Sequence, residues 1–170
     1  MFAVPPNTIA TNDRPVLLHP ARIALQVAAD RSRWAHRLRY APAERWVGLL
    51  EKTDEHEIWL MSWLPGQHTE LHDHSGGHGA FTVVSGSLVE RVARVGADGR
   101  PVELVHALTT GQTRVFGPEY VHEVRNSSPD PAVSIHVFGP RRQGMTEYRQ
   151  DLVSGSLTAA DVRGDLGAVR

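Results

Sequence analysis

Between residues 47 and 138 the apolar positions fall into short runs rich in β-branched and aromatic side chains, broken by glycine, proline, aspartate and asparagine. The runs cover 47–50, 57–64, 80–84, 87–95, 101–108, 113–116, 121–125 and 132–138. Strands of this length punctuated by turn residues predict an all-β sandwich or barrel. Asp98-Gly99 predicts the hairpin turn between two of them. Ahead of the strands the period changes. Ile23, Val27 and Trp34 recur near helical spacing beside Ala24, Ala28, Ala35 and Leu38, with Pro20 suited to a first turn. One amphipathic helix is expected from Pro20 to about Leu38, then a short helical turn near Pro42 to Trp46. Residues 1–15, rich in Pro, Asn and Thr, are expected to be loosely held. After Gly139 polarity becomes mixed, and Thr158 stands as the cap of a short final helix.

A chain of 170 residues buries enough surface for one core. The expected organisation is one domain spanning 1–170: an N-terminal helical extension over 1–46, a β-barrel core over 47–140 and a C-terminal tail over 141–170. Eighteen Lys and Arg against nineteen Asp and Glu leave a net charge of −1, so no summed field gathers phosphates or an anionic surface. Neither nucleic acid nor membrane is expected as a partner. The first residues lack the basic start and apolar run of a secretory signal, and no stretch approaches the roughly 20 apolar residues of a membrane span. A cytoplasmic protein, monomeric or a small homo-oligomer, is expected. Zero cysteines exclude disulfides, thiolate zinc sites and cysteine nucleophiles, so any metal must be held by nitrogen and oxygen.

That constraint bears on TELHDHSGGHGAF, where His72, His74 and His78 crowd into seven positions. In a strand, His72 and His74 would share a face with alpha carbons roughly 6.5 to 7 Å apart. Two ligands on one ion suit that spacing. His122, which follows the Gly117-Pro118 turn, is the candidate third. Three neutral imidazoles on one side of a cation leave its other positions open for substrate and dioxygen, whereas a structural site is closed. An HxH dipeptide alone is a weak signal. His68 and His78 are read as solvated loop histidines, and His19, His36, His56 and His106 as surface or capping residues.

The wider spacing sharpens the reading. Gly66, five residues, His72-Asp73-His74, four residues, Gly79, six residues and Gly86 resemble the first cupin motif. Gly111 through Pro118 to His122 and Asn126 resemble the second. Gly79 stands where many cupins place a glutamate ligand, which narrows the ligand set to His72, His74 and His122. The resemblance implies a cupin (jelly-roll) β-barrel.

More narrowly, LPGQHTELHDHSGGHGAF with PAVSIHVF resembles the cysteine dioxygenase family of thiol dioxygenases, from about Trp34 to Pro140. That resemblance implies Fe(2+) on three histidines, a small-molecule thiol substrate and O2. It also implies an arginine that clamps the substrate carboxylate; Arg45, 27 residues before His72, matches, and Arg39 is its rival. On 132–138, alternation puts Ser134, His136 and Phe138 on one face and Val133, Ile135 and Val137 on the other. The family has Ser, His and Tyr at the first three places, so Phe138 lacks the hydroxyl that contacts substrate and oxygen there. Tyr148, ten residues later, is the candidate to fold back and supply one. The family's cysteine cross-linked to that tyrosine is replaced by Gly79, as in many bacterial members.

The expected function is an iron-dependent thiol dioxygenase turning cysteine, or a close analogue such as 3-mercaptopropionate, into its sulfinic acid. His136, Ser134 and Tyr148 are expected as catalytic residues, and Arg45 and Phe138 as substrate-binding ones. Two other readings stay open: a different metal-dependent cupin enzyme, cleaving a carbon-carbon bond or isomerising a sugar, and a non-catalytic small-molecule-binding module. The four tryptophans, at 34, 46, 59 and 63, are read as core, with Trp59 or Trp63 at the pocket's edge. Asp73, between two candidate ligands but on the opposite face, is read as a turn or ligand-orienting residue.

Overall fold

A computed structural model describes residues 19–140, 144–151 and 154–163. The N-terminal stretch expected to be loosely held lies outside them. One α-helix, α1 (Pro20–Ala29), opens with Pro20 at its first position and the His19 ring accepting from the Ala21 N–H at 3.2 Å. The helix does not run to Leu38 as the periodicity suggests. The Asp30 carboxylate accepts from the Ser32 backbone N–H and hydroxyl, a local bond that competes with helix continuation, and two 3-10 turns follow, Arg31–Arg33 and Ala35–Arg37. The apolar positions still reach their target: Trp34 is buried, and Ala35 and Leu38 pack against the same cluster. No helical turn forms over 42–46 either. Carbonyls of this region accept from sheet side chains instead, that of Arg39 from Ser62 and that of Ala41 from Gln67, and the chain runs directly into a strand at Trp46.

Eleven strands follow: β1 (Trp46–Lys52), β2 (Glu57–Trp63), β3 (His72–Asp73), β4 (Gly79–Ser85), β5 (Ser87–Val95), β6 (Pro101–Thr109), β7 (Thr113–Phe116), β8 (Val121–Arg125), β9 (Ala132–Phe138), β10 (Met145–Gln150) and β11 (Leu157–Arg163). All eight expected runs are strands. The Asp98-Gly99 turn closes the β5–β6 hairpin, with the Gly99 N–H bonding the Gly96 carbonyl. The final helix capped by Thr158 is absent; residues 157–163 are β11, paired antiparallel with β10. What reads as a tail of mixed polarity therefore adds two strands to the edge of a sheet, where one face meets water.

The strands form two antiparallel sheets, a five-stranded one ordered β1-β2-β9-β4-β7 and a six-stranded one ordered β11-β10-β3-β8-β5-β6. Their inner faces meet in one core that joins Trp59, Met61, Trp63, Phe81 and Phe116 from the first sheet to Leu88, Leu108, Val124 and Met145 from the second. Burying an aromatic side chain of this kind contributes about 1.5–3 kcal/mol. The outer face of the five-stranded sheet is covered as well: Ile58, Leu60, Val133, Ile135 and Val137 pack with Ala24 and Val27 of α1. The expected alternation along β9 is what the structure has, with Ser134, His136 and Phe138 on the face opposite that covered by α1. Among the described residues no helix is long and apolar enough to cross a membrane.

Candidate metal centre

His72 sits on β3 directly opposite His122 on β8, so the ladder register brings the two rings to a centroid separation of 4.7 Å. His74 follows one residue beyond the short strand. It opens a turn in which Ser75 and Gly76 both have positive φ, 48° and 82°, and the Gly77 N–H closes back on the His74 carbonyl at 2.9 Å. Two successive left-handed residues define a tight type I′ geometry, which carries the chain from the six-stranded sheet into β4 of the other. Asp73 stabilises that turn by accepting from the Ser75 N–H at 2.8 Å. The result is three buried imidazoles, one ligand-capable nitrogen of each lying within 4.8 Å of the others.

The orientations of His72 and His122 follow from their outer partners. His72 Nδ1 lies 2.8 Å from the Glu70 carbonyl, which can only accept, so Nδ1 carries the hydrogen and Nε2 is left as a lone pair. His122 Nδ1 lies 2.9 Å from the Glu90 carboxylate. Glu90, on β5, is fully buried, and its other oxygen accepts from Arg114 Nε at 2.6 Å; Arg114 in turn donates to the Tyr120 hydroxyl at 2.9 Å. Burial alone would push the Glu90 carboxyl up, but the hydrogen bonds from His122 and Arg114 outweigh it and hold the group below the usual carboxylate range. An ionised carboxylate accepts only, which leaves His122 Nε2 facing inward, 3.2 Å from His74 Nε2. The His72 ring is held well below its ordinary pKa, chiefly by burial and then by the charge of His122. Imidazole nitrogens converging from three buried rings are the donors a divalent cation takes, so the donor set fits a metal.

The cavity beside these nitrogens is lined by Arg45, Met61, Trp63, His136, Phe138 and Met145 among others. Arg45 precedes β1, and its guanidinium lies over the Trp63 ring, 5.5 Å from the centroid. Arg39, its rival, instead donates to the carbonyls of His36 and Leu38. Ser134 and His136 are bonded to each other at 2.8 Å, and Trp63 Nε1 donates to the same serine oxygen at 2.9 Å. The serine oxygen thus joins the indole N–H, which only donates, to the imidazole in one buried chain. Burial, then the charges of His122 and Arg45, push the His136 pKa down to about 3, so the ring is neutral.

Phe138 is buried, 5.0 Å from the His74 ring, and forms an apolar wall. Tyr148 does not compensate for it. Thr146 on β10 pairs with Asp73, and Tyr148, two residues on, shares that outer face: its hydroxyl donates to Asp73 at 2.7 Å and its ring packs against the Leu71, Ala93 and Val121 cluster. Burial and the Asp73 bond push its pKa up to about 12. The expectation that Tyr148 folds back into the site is thereby corrected; strand parity sends it the other way. His68 and His78 are exposed and lie outside the histidine cluster, as expected of loop residues.

Sequence reasoning missed four residues. Glu90, Arg114 and Tyr120 support His122, and the signal was present: Leu88, Glu90 and Val92 alternate inward along β5, and a charge at an inward position is informative. Phe116, at the end of β7, stacks on His74 at 4.4 Å. It also fills the space beside Gly79, where an added Cβ would lie 2.6 Å from the ring and closer still to the Val137 carbonyl.

Residues 21–151 match the family model of cysteine dioxygenase type I. Among solved structures, the chain is similar to a protein from Thermus thermophilus, at 24% identity and a TM-score of 0.54 over 62% of this chain and 92% of the other. It is similar to an uncharacterized conserved protein with a double-stranded β-helix domain from Klebsiella pneumoniae, at 23% identity and a TM-score of 0.57 over 66% and 86%. An oxalate oxidase in complex with glycolate matches at 16% identity and a TM-score of 0.51 over 63% and 56%. At these identities the likeness concerns the fold, which is the cupin barrel that the two motifs imply.

Proposed function

The chain belongs to the cysteine dioxygenase type I family, and from that premise we propose that it is an iron-dependent thiol dioxygenase. Its substrate would be a small carboxylated thiol, cysteine or a close analogue such as 3-mercaptopropionate, which with one O2 gives the sulfinic acid. The observation that carries this reading is that three clustered imidazoles, a guanidinium and a further histidine bonded to a buried serine line one cavity.

His72, His74 and His122 would hold the metal through their inward nitrogens. When bound, Fe(II) would supply the redox chemistry that lets dioxygen react with a thiolate, both oxygen atoms ending on sulfur. Arg45 would clamp the substrate carboxylate through parallel charge-assisted bonds and so fix the thiol end beside the histidines. Its planar guanidinium rests over the Trp63 ring at the cavity wall, which limits the orientations it can take. Met61, Phe138 and Met145 exclude water from the reacting end. The Trp63–Ser134–His136 chain holds a neutral imidazole in one orientation, giving the substrate a fixed polar neighbour.

A second reading rests on the missing hydroxyl: with Phe138 in place and Tyr148 bonded to Asp73, the pocket suits a less polar substrate of another metal-dependent cupin enzyme, a carbon-carbon-cleaving dioxygenase or an isomerase. One experiment separates the two. Protein loaded with Fe(II) is offered cysteine, 3-mercaptopropionate and cysteamine, and separately diketones, in an oxygen electrode. Uptake with a carboxylated thiol and a sulfinate product are expected; no uptake with any thiol would sink the first reading.

A further inference from the structure

We propose that Glu90 is a positioning residue for the metal centre, setting through a hydrogen bond to its carboxylate the tautomer and donor strength of His122. This rests on the three-histidine reading of the site and not on thiol chemistry. Glu90 is fully buried on β5, facing the core between Leu88 and Val92. A carboxylate in such a place is costly unless it is paired and hydrogen-bonded, and here each oxygen has one committed partner. Arg114 takes one oxygen at 2.6 Å and is itself held by the Tyr120 hydroxyl at 2.9 Å; His122 Nδ1 takes the other at 2.9 Å.

The three histidines are therefore not supported alike. His72 is oriented by a neutral backbone carbonyl, that of Glu70. His122 is oriented by a full negative charge, and sharing its Nδ1 hydrogen with a carboxylate makes the opposite nitrogen a more basic donor toward a cation. Arg114 keeps Glu90 from turning both oxygens on His122 or rotating away from it. Its tether to Tyr120, only two residues before His122, ties the brace to the chain segment that delivers the ligand.

The test measures metal binding directly, without turnover. Metal-free wild type, Glu90→Gln and Glu123→Gln are titrated with Zn(II) against a chromophoric chelator. Glu123 flanks His122 on β8 but pairs outward with Arg91 and Arg125, so it controls for loss of nearby charge. Glu90→Gln should bind Zn(II) about 10- to 100-fold more weakly, while Glu123→Gln keeps wild-type affinity. Equal affinity for Glu90→Gln, or equal weakening in both variants, overturns the proposal. Should Glu90→Gln not fold, nitrogen-15 imidazole NMR of the unaltered metal-free protein decides the matter: His122 is expected as the Nδ1–H tautomer, and an Nε2–H tautomer overturns it. A protein that binds Zn(II) in this pattern yet never consumes O2 with thiols removes the dioxygenase reading and leaves this one standing.

Discussion

In the five-stranded sheet both faces are covered, one by the opposing sheet and one by α1, so β9 is buried at every position from Ala132 to Phe138. In the six-stranded sheet β6 alternates between exposed and half-buried positions along most of its length, and Val95 and Val105 face water. The chemistry divides along the same line. Nitrogens for a cation come from the six-stranded sheet and the turn leaving it, on His72, His74 and His122, with Glu90 behind them. The groups suited to a substrate, Arg45, Trp63, Ser134, His136 and Phe138, lie on or beside the five-stranded sheet. The fully covered sheet can hold a serine–histidine pair without competing water, which keeps its bonds strong. The half-wet sheet donates its ligands inward from the positions that alternation reserves for the core.

This division can be broken by variants that cross it. The largest effect is expected at His122→Ala, which should reduce metal affinity by more than the roughly 100-fold upper range of a supporting residue, and abolish turnover with it. Stoichiometric metal by elemental analysis in that variant would show the ligand to be elsewhere. Arg45→Met on the other sheet should leave metal content unchanged and raise KM for carboxylated thiols. Loss of a charged bidentate bond, about 1.5–3 kcal/mol, corresponds to roughly 10- to 100-fold in kcat/KM. Cysteamine, lacking the carboxylate, should be spared; an equal loss for both substrates would remove the clamp.

Acid titration compares one histidine from each sheet. His72 and His136 both stay neutral when folded, His136 down to about 3, whereas the unfolded chain protonates them near the ordinary 6.5. The unfolded state therefore binds more protons below that pH, and stability of the metal-free protein should fall as pH drops from about 6.5 toward 3, by up to about 1.4 kcal/mol per unit for each group. Urea midpoints between pH 7 and 4.5 measure this, and His136→Phe should flatten the slope by one group's share. An unchanged slope would mean that the imidazole is protonated in the folded state. The smallest effect is expected at Phe138→Tyr. A hydroxyl restored beside His74 and worth about 1 kcal/mol should raise thiol turnover roughly fivefold, measured as initial sulfinate formation; a fall would favour the less polar substrate.

The barrel strands are legible because their signal is local. Branched and aromatic runs between turn residues mark eight of the nine strands up to Phe138, all but the two-residue β3, and four of those runs have their observed ends. The helix is legible in burial but not in extent, since Trp34 and Leu38 reach the expected cluster through 3-10 turns once Asp30 captures the next backbone N–H. β10 and β11 escape because strands at the rim of a sheet carry no full apolar face, and the pairing of β10 with β3, on which β11 then adds, is fixed by contacts remote in the chain. In the site, spacing points to the histidines, and the family resemblance points to Arg45 and the Ser134–His136 pair. Neither shows that Trp63 donates to Ser134, that Tyr148 belongs to Asp73, or that Glu90 stands behind His122, because each depends on which face a strand turns after tertiary pairing.

The ring of Phe116 and the bare backbone at Gly79 have one further consequence, for the paths that substitution can take. Any side chain introduced at position 79 collides with the ring and with the Val137 carbonyl, so that position accepts neither a carboxylate nor a thiol while Phe116 stays. A fourth protein ligand there, or a covalent link from there to position 138, would need both a smaller residue at 116 and a shift of the β9 backbone at Val137. The substitution at 116 would strip the stacking partner from His74. The intermediate genotype is penalised before any benefit arrives, and the all-histidine donor set is held in place by the order in which changes would have to occur.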